Sequence, residues 1–317
     1  MASKNKKFAD DGWAVWVDGE DTSTIYINEW LNPRGSSYVD LGIRIRGVTA
    51  TNTLFVFVPF SIDKSEMDDV SLLFHDKNIL QATFSATCIA DFKKNAHTSE
   101  IAYNGKTIDI VHISTIDFQL SPLSNGTLMK VDLAAIRDFL DNDEVYFVWR
   151  MPHKSLDEVF KSRVNVGSTM ERLRDLITSP VISERYGYSV RINESRLLPE
   201  EIGRMSGFHR QKLKKTVVTI SLNDSYEIND SNCYRIRRLE EKLYKDYVPS
   251  GYNCDDVITY QWNQSRAEDL RGHFNFYFDI AKNAVSKSSM FVYLVILFIM
   301  GLMGDALWDL IASLLGL

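Results

Sequence analysis

The stretch MFVYLVILFIMGLMGDALWDLIASLLGL, residues 290–317, decides how the rest of the chain is read. Its first fourteen residues, Met290 to Met303, carry no charge, and it stays apolar to Leu317 apart from Asp305 and Asp309. As a helix rising about 1.5 Å per residue it reaches about 42 Å, more than a bilayer core of about 30 Å. A run of only about fourteen apolar residues fits a buried core helix. Continuation through Leu307, Trp308, Leu310, Ile311, Leu314 and Leu315 instead predicts a single transmembrane segment over 290–317.

An ionisable side chain inside a span is expensive and tends to face a bundle interior or a water-filled cavity. Asp305 and Asp309 are four residues apart and so share one helix face. Gly301, Ala312, Ser313 and Gly316 continue that face, and small or polar residues on one stripe favour close helix contact in lipid. One chain supplies one such helix, so hiding its carboxylates requires other copies. The expectation is a homo-oligomer whose helices surround a ring of carboxylates, a lining suited to cations. Alternatively, both aspartates lie at the far interface on a tail along the headgroups.

Outside this segment the chain reads as cytoplasmic. Its 317 residues have capacity for about two domains. The net charge of −6 gives no reason for non-specific nucleic-acid binding. Cys88, Cys233 and Cys254 are far apart with no CxxC spacing, which suits reduced thiols in a cytosolic domain. The N-terminus, MASKNKKFADDGWAVW, is basic and then acidic without an apolar core, unlike a secretory signal. Arg266, Arg271, Lys282 and Lys287 precede the span and no Lys or Arg follows it, so the positive-inside rule places the bulk of the chain on the cytoplasmic side of the inner membrane.

Residues 1–150 carry a period of two. Val39, Leu41, Ile43 and Ile45 alternate with Asp40, Gly42, Arg44 and Arg46, the pattern of a half-buried strand, while Leu54 to Phe60 is continuously apolar and fits a strand buried on both faces. Further strands are expected at Trp13–Val17, Thr24–Asn28, Gln81–Ala90, Thr107–Ile113 and Val145–Trp149, punctuated by Asn32-Pro33-Arg34-Gly35, Asn104-Gly105 and Asn125-Gly126. A helix from Asp132 to Leu140 interrupts them. The expected fold class is α+β: a β-sandwich-like module over 1–150, a mixed α/β module over 151–263, a stalk helix over 264–289 and the span over 290–317. In the second module, capping boxes at Ser155-x-x-Glu158 and Ser168-x-x-Glu171 predict helices. Strands follow at Tyr186–Ile192 and Thr216–Leu222, with a short helix near Pro199 and a longer one over Ser231–Tyr247. Ser265-x-x-Glu268 opens the stalk, with Leu270, Phe274, Tyr277, Phe278, Ala281 and Val285 on one stripe.

Motifs for chemistry are missing. Gly105-Lys106-Thr107 lacks the upstream glycine of a phosphate loop, where Glu100 stands, and no GxGxxG, GxSxG or HExxH is present. The six histidines are too scattered for local metal ligation, and the acidic run Asp141-Asn142-Asp143-Glu144 lacks the glycine and distal glutamate of a calcium loop. No enzyme, cofactor or metal is expected. Two basic clusters remain as binding candidates: Arg204, His209, Arg210, Lys212, Lys214 and Lys215 beside Phe208, and Arg235, Arg237 and Arg238. Cations beside an aromatic suit a nucleotide or oligonucleotide, through phosphate contact and stacking. A solvated surface or attraction to anionic headgroups is the simpler account of each. Arg44 and Arg46, on one strand face, form a weaker third.

The order of a cytosolic module, a stalk and one C-terminal span carrying Gly301, Asp305 and Asp309 resembles the membrane effectors of bacterial anti-phage defence. In layout it is most similar to the Hailong-type effector channel. The resemblance is one of architecture and rests on no diagnostic motif. It implies a soluble module that binds a nucleotide signal made by a partner nucleotidyltransferase, and an oligomeric pore whose opening depolarises the cell. Three functions follow: a ligand-controlled channel or membrane-disrupting effector, a tail-anchored scaffold or adaptor, and a tethered enzyme with dispersed active-site residues.

Overall fold

The computed structural model describes residues 9–19, 22–32, 36–84, 88–89, 95–103, 105–153, 181–208, 212–228, 232–240, 244–252, 254–265, 273–285 and 287–315. The strands are β1 (Ala9–Val17), β2 (Thr22–Leu31), β3 (Ser37–Arg46), β4 (Thr53–Val58), β5 (Cys88–Ile89), β6 (Thr98–Tyr103), β7 (Lys106–Val111), β8 (Phe118–Leu123), β9 (Gly126–Asp132), β10 (Glu144–His153), β11 (Val181–Ile192), β12 (Lys212–Asn223), β13 (Tyr226–Ile228), β14 (Arg235–Arg238), β15 (Val257–Ser265) and β16 (Phe274–Val285). The α-helices among the described residues are α1 (Lys77–Phe84), α2 (Leu133–Ile136), α3 (Glu200–Gly203) and α4 (Lys287–Leu315). The fold is mostly sheet with few helices, in keeping with the mixed class expected.

The strands form two sheets, ordered β13-β16-β11-β1-β4-β9-β8 and β14-β15-β12-β2-β3-β10-β7-β6-β5. Their facing sides share one apolar core, with Trp13, Val15, Leu54, Val56, Tyr188 and Phe278 from the first and Ile25, Ile27, Leu41, Ile43, Phe147 and Trp262 from the second. Across it the Tyr188 hydroxyl donates to Glu29 Oε1 at 2.5 Å, giving one oxygen of a carboxylate with no solvent exposure a partner. The period-two reading of β3 holds: Val39, Leu41, Ile43 and Ile45 all face the core. Gly105 turns at φ 73° between β6 and β7, and the β8–β9 hairpin closes at Leu123 and Gly126. The Asp132 carboxylate caps α2, accepting from the amides of Ala134 and Ala135.

Several expectations need correction. The two modules are not separate: β11 pairs in parallel with β1, and β12 with β2, so strands from beyond residue 151 complete both sheets begun by the N-terminal half. The described part of the stalk up to Val285 is not helical. Phe274, Tyr277, Phe278 and Ala281 fit a helical stripe, but Phe274, Phe276, Phe278 and Ile280 also alternate; these four are buried, and β16 pairs with β11 along its whole length. Ladder hydrogen bonds over twelve residues decide between the two periods. The 231–247 helix is replaced by edge strand β14, paired with β15, and a turn that buries Tyr244 and Tyr247. The strand expected at Gln81–Ala90 is helix α1 followed by the short β5; Asp76 accepts from the amide of Asn78 at its start, and Ile79 and Leu80 are buried beneath it. The helices expected behind Ser155 and Ser168 lie outside the described residues.

β16 ends at Val285 and α4 begins at Lys287, with a single residue between them. The described side chains of α4 from Met290 to Gly304 are nowhere buried. Leu294, Leu297, Ile299, Met300, Leu302 and Met303 spread around the full helix circumference, all exposed. That unbroken run of fifteen described side chains measures about 22 Å, and among the described residues no helix is long and apolar enough to cross a membrane. The span expected over 290–317 is therefore not carried by the described residues.

Candidate functional site

The outward side of the nine-stranded sheet carries the second residue of each alternating pair. On β2 these are Thr24, Tyr26, Asn28 and Trp30; the register sets Lys215, Val217, Thr219 and Ser221 beside them on β12, and Arg44, Gly42, Asp40 and Tyr38 on β3. A solvated face was expected here. Instead α1 and the turn at 244–252 roof it, packing Ile79, Leu80, Tyr244 and Tyr247 onto Tyr26, Trp30, Tyr146 and Val217. Gly42 makes this layer possible, because a Cβ there would lie 2.1 Å from the Tyr146 hydroxyl.

Between roof and sheet lies a small cleft of about 60 Å³. Its floor is polar, with Asn28, Thr219, Ser221, Thr259 and Gln261, and its walls are Tyr26, Trp30, Leu239, Tyr244 and Tyr247. Ser221 and Thr259 hydroxyls sit 3.3 Å apart, and Ser221 donates to Asn28 at 3.4 Å. Arg237 enters from β14; its guanidinium lies 5.4 Å from the Tyr244 ring centre, and Nη1 donates to the Tyr244 hydroxyl at 3.4 Å.

A buried ion pair fixes two of the walls. Arg150 on β10 donates to both oxygens of Asp40, at 2.6 and 2.8 Å, and to the Tyr247 carbonyl at 2.7 Å. The indole Nε1 of Trp30 donates to Asp40 at 2.9 Å. The Arg150 guanidinium also lies over the rings of Trp30 and Tyr247. Burial works against the Arg150 charge, and Asp40 beside it more than restores it, so the guanidinium stays charged. Burial, with Asp40 close by, holds the Tyr247 phenol well above its ordinary range and therefore neutral.

The basic residues singled out from the sequence separate. Phe208 is no stacking platform: it is 2% exposed and packs edge-on against Trp16 on the opposite sheet, behind Gly207 at φ 84°. Arg204 pairs with Glu200 on the surface of that side. His209 and Arg210 lie outside the described residues, as does the side chain of Lys212; Lys214 is half-buried. Arg238 points the other way from Arg237 and donates to Asp224 at 3.3 Å. Arg44 is buried against Glu144 at 2.5 Å, with Arg46 on the same carboxylate at 2.7 Å. Lys215, Arg235 and Arg237 do converge on the cleft face: Arg235 and Arg237 stand opposite Gln261 and Thr259, and Lys215 is two residues from the cleft residue Val217. Burial, and then the charge of Arg44, depress the Lys215 amine below the ordinary lysine value. In α4, Gly301 and Ser313 are exposed, and the side chains of Asp305, Asp309 and Ala312 lie outside the described residues.

The sequence reading missed the cleft. Its floor left one trace in KTVVTISLN, where Thr219 and Ser221 alternate with Val218, Ile220 and Leu222. The walls left none, since Trp30 and Tyr247 meet only in the folded chain. Among the described residues, no group of three or more His, Cys, Asp or Glu side chains could hold a metal.

No protein-family model matches the chain, and no curated protein matches it. Among solved structures, the Fcho1 Mu homology domain of Danio rerio with bound Eps15 peptide is similar at 9% identity over 88% of this chain and 81% of that one, with a TM-score of 0.12. A likeness at that level carries no argument about fold or binding.

Proposed function

We propose that the protein is a ligand-controlled, homo-oligomeric channel or membrane-disrupting effector of the inner membrane, acting in anti-phage defence on a nucleotide-derived signal, with its β-rich body in the cytoplasm. The observation that carries this is α4. A helix apolar on all sides is stable only where something apolar surrounds it, and the described body of the protein covers none of its faces. Oligomerisation supplies partners for the stripe of Gly301, Asp305, Asp309, Ala312 and Ser313. The one-residue junction between β16 and α4 supports control from the body, because a shift of β16 reaches the helix without a slack linker. A ligand moves such an equilibrium only by its difference in affinity for the two states.

The test is ion flux through liposomes holding the full-length protein, beside a chain ending at Lys287. Flux that requires the tail and falls in the Asp305→Asn/Asp309→Asn double variant supports the channel. Protein that resists alkaline extraction yet conducts nothing, with nucleotides added or removed, would sink it.

A tail-anchored scaffold has one observation in its favour. β14, of sequence RIRR, is the outer strand of its sheet, with Tyr234 and Ile236 at 64% and 60% exposure, an edge to which an extended peptide could add. Exchange of 290–317 for an unrelated membrane helix separates the two, since a scaffold keeps its function and a channel loses it.

A further inference from the structure

We propose that β14, the outer strand of the nine-stranded sheet, takes up as an added strand an extended peptide segment in which acidic and apolar side chains alternate. This deepens the scaffold reading above, on which it rests, by naming the chemistry of the partner.

β14 pairs with β15 on one side, and among the described residues no strand pairs with its other side. The Leu239 amide donates to the Val257 carbonyl, so the alternation of an antiparallel ladder turns the main-chain groups of Arg237 toward β15 and those of Ile236 toward the open side. Such an edge is a template for one more strand. A strand that adds here meets two faces of different kinds. On the cleft face stand Arg235 and Arg237, opposite Gln261 and Thr259. On the core face stands Ile236, opposite the buried Tyr260, and at 60% exposure it is left uncovered by the facing sheet.

Charge selects the acidic character. Arg44, Arg46, Arg150, Arg196, Arg204 and Arg238 each sit against a carboxylate of the chain. Among the described residues Arg235 and Arg237 have no carboxylate partner; each lies over a tyrosine ring instead, Tyr234 at 5.9 Å and Tyr244 at 5.4 Å. An added strand lies about 4.8 Å from β14, so carboxylates at alternate positions stand beside both cations while the apolar residue between them stands beside Ile236. A second copy of β14 is a poor occupant. Antiparallel self-pairing about Ile236 sets Arg235 of each copy against Arg237 of the other, on one face, and like charges directly opposite are destabilising. The cations that bar a second copy are the ones that select an acidic segment.

Full-length protein in detergent is titrated, by fluorescence anisotropy, with three short labelled peptides: glutamate alternating with valine, lysine alternating with valine, and the first composition with its glutamates in one block. The alternating acidic peptide should bind saturably, and the other two about tenfold more weakly or less. Arg235→Glu/Arg237→Glu should reverse the choice, losing the acidic peptide and gaining the lysine one, while Arg204→Ala on the other side of the body changes nothing. Ile236→Pro removes an outward main-chain donor and no charge, and should abolish binding while thermal unfolding stays at the wild-type temperature. Equal binding of the alternating and blocked acidic peptides, or binding indifferent to Ile236→Pro, reduces the edge to a solvated charge patch and overturns the proposal. So does no binding of any peptide, or self-association that Ile236→Pro abolishes, which gives the edge to a second copy. Tail exchange is scored separately. No peptide binding beside function that survives the exchange removes this edge and keeps the scaffold, and peptide binding beside function lost on the exchange does the reverse.

Discussion

At Asp40 one carboxylate sits at 3% exposure, holding Arg150 by two hydrogen bonds and Trp30 by a third. Its removal leaves a guanidinium buried without its counter-charge, a loss of about 3–5 kcal/mol. Asp40→Ala should therefore lower the denaturation midpoint by that equivalent in urea and release Tyr247, seen as a change in tyrosine and tryptophan fluorescence. A wild-type midpoint would mean that Arg150 finds another partner. Lys215 has the opposite character. Because burial and Arg44 depress its folded pKa below 10.5, its charge costs stability at neutral pH, and that cost is lost as pH rises from the depressed value toward 10.5. Urea midpoints measured from neutral pH upward should therefore rise over that window in the wild type relative to Lys215→Met.

Among the elements, α4 and β16 show how far local pattern carries. α4 is helical, and its described side chains from Met290 to Gly304 are apolar on every side, with no face set apart for a core and another for solvent. A charge set in the middle of its apolar run costs about 2.5–3.5 kcal/mol in a bilayer and almost nothing in water. Phe298→Lys, at a side chain 67% exposed in the isolated chain, should shift the protein from the carbonate-resistant to the soluble fraction without changing its thermal unfolding in detergent. An unchanged fractionation would place α4 outside the membrane. In β16 both a helical stripe and a strict alternation could be read from Phe274 to Ala281. Its fate depended on β11, more than 80 residues earlier in the chain, which offers it a continuous ladder.

Across the whole molecule, the two halves are interdependent. β1 lies between β11 and β4, and β2 between β12 and β3, so each half lends central strands to both sheets. A fragment of residues 1–153 would expose the hydrogen-bonding edges of β1 and β2 and the apolar side chains that β12 and β16 cover. Such a fragment should aggregate or give poorly dispersed amide spectra, whereas co-expression with 154–317 should recover a soluble complex. A well-dispersed spectrum from 1–153 alone would show that the N-terminal strands form a unit by themselves. The same interleaving packs the two sheets together through β15, which carries Thr259 and Gln261 on its outer face and Trp262 on its inner face, Trp262 lying against Phe278 of β16 with ring centres 4.4 Å apart.

By itself the sequence determined what depends on neighbours within a few residues. The alternation in β3, the turn before β7, the Asp132 cap and the largely apolar tail were all legible, because a strand face, a tight turn, a cap and a long apolar run are each read from local spacing and side-chain chemistry. Tertiary structure decided everything that required a distant partner. It drew β11 and β12 into sheets begun by β1 and β2, turned an apparent stalk into a strand, and buried Phe208 away from the cations beside it. It also gathered Lys215, Arg235 and Arg237 around a cleft whose walls, Trp30 and Tyr247, lie more than 200 residues apart. The physical reason is that strand pairing is satisfied by hydrogen bonds between segments, and no residue carries in its own spacing the identity of the segment that will complete its ladder.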